Sequence, residues 1–139
     1  YQGGDYPNPD YRTVCSGVTG HTEIVKVSYD ETLIPTREIL RVFWENHDPT
    51  QGNRQGNDIG TQYRSAVYWT TAEQADEVRK THDEFSAVLH AAGIGSITTE
   101  MHPAESLTFW PAEDYHQKYL KKNPFGYDCH AHTGFFLPA

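Results

Sequence analysis

Cysteine is scarce in this chain, and long apolar runs and clustered positive charge are missing from it. Its 139 residues hold two cysteines, Cys15 and Cys129. That is too few for a disulfide framework and fits either a reducing compartment or a redox pair. No stretch approaches the roughly eighteen consecutive apolar residues of a membrane span, and no basic segment leads into an apolar one as an export signal would. A membrane is therefore not an expected partner. The expected compartment is the cytoplasm, with an organelle left open. Lys and Arg number 11 against 19 Asp and Glu, a net charge of -8. Nucleic-acid backbones are bound by clustered cations, and none cluster here, so nucleic acid is not an expected partner either. Repeats, linkers and low-complexity segments are also missing. Residues 1–139 read as a single domain, large enough to bury roughly two thirds of its unfolded surface.

Aromatic residues are abundant: nine Tyr, six Phe and three Trp. Most belong to a core, but in a domain this polar some are expected to face a pocket. Residues 1–22 are rich in Gly, Pro, Asn, Asp and Ser and read as loop. From Glu23 to Tyr29 the side chains alternate, with Val25, Val27 and Tyr29 on one face, which predicts a strand emerging from a glycine-containing loop. Thr36 can cap a helix carrying Ile39, Leu40, Phe43 and Trp44 and ending near Asn46. Tyr63–Trp69 is strand-like. Thr71 and Gln74 form a capping box for a helix running to Gly93 through Ala75, Val78, Phe85 and Leu89. Short strands are expected at Ser96–Met101 and Leu107–Trp110. Pro111 opens a helix through AEDYHQKYLKK that Pro124 stops. This order predicts an α+β two-layer sandwich with a mixed β-sheet and packed helices, related to the ferredoxin-like α-β plait.

The stretch most suggestive of function runs from Phe43 to Trp69, where a polar loop separates helix and strand. It holds His47, Asp48, Arg54, Asn57, Asp58, Gln62 and Tyr63 between glycines, and a polar loop of this length in a compact domain is usually functional. Taken singly, its residues have ordinary readings beside the chemical ones. Glu23 reads as a solvated carboxylate where a strand starts, and Asp58 as a loop cap bonded to backbone amides. Tyr11 and Tyr63 read as core or rim residues. Cys15 reads as a small buried apolar residue, His47 as a donor to the end of its helix, and His116, with Tyr115 and Tyr119, as packing its helix against the site. Cys129, His130 and His132 form a weak metal pattern because adjacent and i+2 ligands lack the regular spacing of a metal site, so no metal is expected.

Several stretches together, NPDYRTVCSGVTGHTEIVKVSYD, HDPTQGNRQGNDIGTQYRSAVY and AEDYHQKYLKKNPFGY, resemble the type A methionine-S-sulfoxide reductases, the MsrA family. The likeness runs over essentially the whole chain. It implies an oxidoreductase of protein repair under oxidative stress, with no bound cofactor and with thioredoxin, or dithiothreitol in its place, as external reductant. It implies methionine sulfoxide, free or in proteins, as substrate, and selectivity for the S epimer at sulfur. By the same likeness Glu23 gives a proton to the sulfoxide oxygen, Tyr11 and Tyr63 hydrogen-bond that oxygen, and Asp58 is Glu23's neighbour. His116, Tyr119 and Tyr127 then line the substrate pocket, and Cys129 resembles the tail cysteine that resolves the oxidised nucleophile into a disulfide. Asp128 intervenes between Tyr127 and Cys129, and GFFLPA stands where many members carry a second tail cysteine. The family nucleophile sits in a Gly-Cys-Phe-Trp-Gly segment on a central strand. This sequence begins at Tyr1 without that segment, so the expected domain is N-terminally incomplete. A sheet lacking its central strand exposes an unpaired edge, which predicts an oligomer or a complementing N-terminal segment. A sulfoxide-binding domain without turnover and a metal-binding protein are the competing readings.

Overall fold

The computed structural model describes residues 1–125 and 132–139, so Tyr127 and Cys129 lie outside the described residues. Among the described residues the fold is a mixed α+β arrangement built on a β-α-β unit. Strand and helix α1 (Tyr11–Cys15), α2 (Thr36–Glu45), β1 (Arg54–Gln55), β2 (Asp58–Ile59), β3 (Ala66–Trp69), α3 (Ala72–Ala91), β4 (Glu100–Pro103) and α4 (Tyr119–Lys122) follow in that order. β3 and β4 pair in parallel from Ala66 opposite Glu100 to Trp69 opposite Pro103. A parallel pair needs a long crossover, and the 20-residue α3 provides it.

The two long helices form as their sequences dictate. Thr71 accepts the Gln74 amide at the start of α3, while the Gln74 side chain reaches back to Thr70 N at 2.8 Å, one residue before the cap. Ala75, Val78, Thr81, Phe85 and Leu89 are its buried stripe. Leu40 and Trp44 of α2 meet that stripe, and Leu137 closes the core from the C-terminal segment. Leu137 N donates to Glu45 Oε2 at 2.8 Å and its carbonyl accepts Arg41 Nη1 at 2.8 Å, which straps residues 132–139 to α2. Trp44 and Thr81 are fully buried and joined by an indole N–H to hydroxyl bond of 2.9 Å. Thr81→Val keeps the shape but strands that N–H, so the expected loss is roughly 1–3 kcal/mol in denaturant unfolding, with an unchanged m-value.

Several elements depart from the sequence expectation. The segment 23–29 is extended and alternates as anticipated, but it is not a paired strand. Among the described residues its one backbone bond is Glu23 N to Gln62 O, at 2.9 Å. Val25 is 85% exposed and Val27 51%. The alternation was legible, but pairing requires a neighbour, and here a cleft of about 1610 Å³ lies between this segment and β3, walled by Val25, Val27, Val67, Phe43 and Phe109. The expected mixed sheet is accordingly represented by the parallel β3–β4 pair and a separate β1–β2 hairpin. Residues 107–110 are not a strand. The helix expected from Pro111 is confined to α4, because Lys118 takes a left-handed conformation (φ 53°) just before it. Conversely, α1 forms inside the region expected to be loop. Asp10 caps it, accepting Thr13 N at 2.8 Å, and the Thr13 hydroxyl reciprocates to Asp10 N.

Candidate active site

The polar loop is held by its own side chains. Gln55 donates to Asp48 O at 2.8 Å and accepts Asp48 N at 3.2 Å, and Gln51 accepts Gly56 N at 2.8 Å. These bonds fix the two-residue turn of β1–β2, in which Gly56 has positive φ (56°), and so place Asp58. A 3₁₀ turn at Thr61–Tyr63 follows and presents Tyr63. Across from it, Thr22 donates to the carbonyls of Gln62 and Arg64, both at 3.0 Å. His21 is clamped between Gly4 N, which donates to Nδ1, and Tyr6 O, which Nε2 meets at 2.7 Å. These bonds set where Glu23 leaves the loop.

Glu23, Asp58, Tyr11 and Tyr63 come together. Glu23 is exposed at the end of the cleft, yet desolvation on its inner side, followed by the charge of Asp58, raises its carboxyl above the ordinary range. Tyr63 is raised by desolvation and by the charges of Glu23, Cys15 and Asp58. Tyr11 is pushed up to about 12, first through a hydrogen bond with the Cys15 sulfur and then by the Cys15 charge, with Tyr63 and Glu23 adding to it. Both phenols therefore stay protonated across the physiological range and can only offer O–H to an acceptor or take a hydrogen bond.

The remaining candidates divide. The His116 ring packs at a tilt against Tyr11, at a centroid distance of 4.4 Å, and against Tyr115 at 4.3 Å; it borders the site from a turn at 114–118 rather than from a helix. Tyr119, at the first turn of α4, is 40% exposed and makes no described contact with Glu23, Tyr11 or Tyr63. Tyr127 and Cys129 lie outside the described residues. Cys15 is half-buried and faces Tyr11 instead of filling an apolar core position. His47 donates Nδ1–H to Phe43 O, as read for a helix-end donor, and its Nε2 meets Ser65 Oγ at 2.7 Å. Among the described residues no three His, Cys, Asp or Glu side chains converge as a metal site would require, and no helix is long and apolar enough to cross a membrane.

Sequence reasoning missed Glu113. Its Oε2 accepts Tyr11 N at 2.8 Å and its Oε1 accepts the Tyr1 hydroxyl at 2.8 Å. Burial alone would raise this carboxyl, but the bonds from Tyr11 and Tyr1 outweigh it and hold it low. An anion at the first N–H of α1 stabilises that short helix and the phenol it carries. No local signal links residues so far apart in sequence.

The site thus brings a raised carboxylic acid and two un-ionised phenols together near Cys15, donors that carry no positive charge. The family model described as peptide methionine sulfoxide reductase matches residues 1–136. The chain is 56% identical over 140 residues to the peptide methionine sulfoxide reductase MsrA of Salinispora arenicola, covering 99% of this chain and 63% of that protein. It is 54% identical over 138 residues to MsrA of Pseudomonas putida, covering 99% and 61%. Among solved structures, methionine sulfoxide reductase A of Corynebacterium diphtheriae superposes with a TM-score of 0.85 at 47% identity, covering 100% of this chain and 72% of that one. Reduced Mxr1 of Saccharomyces cerevisiae gives 0.78 at 36%, covering 98% and 71%. The chain therefore belongs to the peptide methionine sulfoxide reductase family, in its MsrA branch. It spans less than two thirds of the length of these curated relatives.

Proposed function

We propose that this chain supplies the oxygen-side half of a methionine-S-sulfoxide reductase. The observation that carries the reading is the convergence of Glu23, its carboxyl raised by desolvation and by Asp58, with the un-ionised phenols of Tyr11 and Tyr63. A sulfoxide is neutral with a strongly accepting oxygen, so a site for it needs donors without net positive charge. Tyr11 and Tyr63 hold the oxygen and Glu23 protonates it. A thiolate attacks the sulfur, and the protonated oxygen leaves as water to give a sulfonium joined to the cysteine by an S–S bond. Water then attacks the cysteine sulfur, breaking that bond so that methionine departs and the cysteine is left as sulfenic acid. The tail thiol of Cys129 then displaces water to form a disulfide, which thioredoxin, or dithiothreitol in vitro, reduces in a cytoplasmic setting. His116 borders the substrate pocket, with Tyr119 and Tyr127 as further lining.

The attacking thiol comes from a strand that fills the cleft between residues 23–29 and β3. Such a strand completes a mixed sheet of the ferredoxin-like kind and places its cysteine beside Glu23. A second reading is sulfoxide binding without turnover by the same cradle. Both readings require recognition of the oxygen. Calorimetric titration is therefore expected to show a methionine-S-sulfoxide peptide analogue binding about tenfold or more tightly than the matching sulfide, the worth of one to two added hydrogen bonds. Equal affinity for sulfoxide and sulfide would remove both readings.

A further inference from the structure

Arg64 follows directly on the turn that carries Tyr63 and is largely buried, with 15% of its side chain exposed. Each nitrogen of its guanidinium has a different partner. Nη2 donates to Gly20 O at 2.9 Å, Nη1 to Thr61 O at 2.8 Å, and Nε to the Glu100 carboxylate at 2.5 Å. Gly20 belongs to the loop from which Glu23 emerges, Thr61 opens the turn that ends in Tyr63, and Glu100 begins β4. The surrounding backbone leaves room for this group. A Cβ at Gly3 would stand 2.7 Å from Nη2, and Gly3 sits at φ 105°, where L side chains are rarely found. Loop and turn are joined beside the guanidinium as well: Thr22 is fully buried and its hydroxyl meets the carbonyls of Gln62 and Arg64, while Glu23 N donates to Gln62 O. Those bonds run from the loop to the backbone of the turn, whereas the guanidinium is a side chain that reaches from the turn back to the loop. The two segments it joins are the ones that present the acid and a phenol.

We propose that Arg64 is a positioning residue for the sulfoxide site: its guanidinium, spanning Gly20 O, Thr61 O and Glu100, fixes the loop that presents Glu23 against the turn that presents Tyr63, and so sets the separation of the proton donor from the phenol that holds the same oxygen. This rests on the functional reading above and adds to it the residue that registers the two segments. The arrangement calls for arginine. A planar fork offers five N–H groups in fixed directions, whereas the single ammonium of lysine is a compact point charge that cannot reach acceptors on three segments at once.

The test uses the full chain with Arg64→Lys, which keeps the charge and the stem, and Glu100→Gln as a second variant, altered only at the end of the ion pair that is 41% exposed. In calorimetry with a methionine-S-sulfoxide peptide analogue and its sulfide, Arg64→Lys is expected to lose about tenfold of the preference for sulfoxide, the worth of one hydrogen bond to its oxygen, with sulfide affinity held within about twofold. Glu100→Gln, whose amide oxygen can still accept Nε, is expected to lose about two- to threefold. In ¹³C-carboxylate NMR titrations, Glu23 in Arg64→Lys is expected to ionise at lower pH than in the unsubstituted chain, because a loosened loop lets water reach the carboxyl and carries it away from Asp58. An unchanged sulfoxide preference or an unmoved Glu23 titration in folded Arg64→Lys overturns the proposal. So does a parallel loss of sulfoxide and sulfide affinity, which marks a merely structural role. Should Arg64→Lys fail to fold, an unchanged preference in Glu100→Gln overturns it equally. If the unsubstituted chain shows no sulfoxide preference, the functional reading fails, while the Glu23 titration still decides what Arg64 does to the loop.

Discussion

Joined to an N-terminal segment bearing Gly-Cys-Phe-Trp-Gly, this chain is expected to reduce methionine-S-sulfoxide with dithiothreitol on the order of 10³-fold faster than the chain beginning at Tyr1, and to leave the R epimer untouched. Removing a catalytic nucleophile costs at least that much where it has been measured in other enzymes. Glu23, Asp58, Tyr11 and Tyr63 lie close enough that their charges act on one another. Among the described residues, each wall of the cleft beside them has an unpaired backbone edge, residues 24–29 on one and β3 on the other. An extended segment pairing with both edges would bury Val25 and Val27 and set its cysteine near Glu23. A segment with Ser for Cys is the control and should restore pairing without turnover, whereas Cys15→Ser should leave the joined chain active. If instead the chain from Tyr1 reduces the S epimer unaided and Cys15→Ser abolishes this, the nucleophile is Cys15 and the strand reading falls. Binding without turnover in every form would leave the non-catalytic reading standing.

What the sequence disclosed, and what it did not, follows from the range of the interactions involved. The helices at 36–45 and 72–91 were legible because caps and apolar spacing act within one or two turns, as with Thr71 and the stripe from Ala75 to Leu89. The strand at 23–29 was legible as an alternation but not as a pairing, since pairing depends on residues elsewhere. The helix from Pro111 failed for a similar reason: Glu113 is held by Tyr1 and Tyr11, and the chain reaches Lys118 in a left-handed conformation before one turn of helix forms. In the site, Glu23, Tyr11, Tyr63 and Asp58 were named through the family likeness, whereas the residues that orient them, Gln62, Glu113 and His21, act through contacts no sequence window contains. Cys15 was read as apolar filling because a thiol is the same letter in a core and beside a phenol.

Glu23→Gln should have the second large effect, and its pH dependence separates an acid from a bystander. A general acid contributes about 10²- to 10⁴-fold, so turnover in the joined enzyme should fall by that factor while sulfoxide binding, which the amide can still support by donation, changes little. Glu23 must carry a proton to act, so kcat/KM should decline as pH rises through its raised pKa. That alkaline limb should vanish in Glu23→Gln. In Asp58→Asn it should shift to lower pH, because the Asp58 charge is one of the influences raising Glu23. Stability should move the opposite way. With the folded pKa above the unfolded one, the folded chain holds a proton that the unfolded chain has lost. The stabilisation this gives is complete below the ordinary carboxylate range and is lost as pH rises through the folded value. Gln mimics the protonated form without that loss, so Glu23→Gln should unfold at a higher temperature than the unsubstituted chain at neutral pH, with the gap closing in acid. A variant less active yet more stable would show that the acid is held at a cost to the fold, as expected of a site shaped for proton transfer. A variant unchanged in turnover, or one whose alkaline limb persists, would assign the proton to another group.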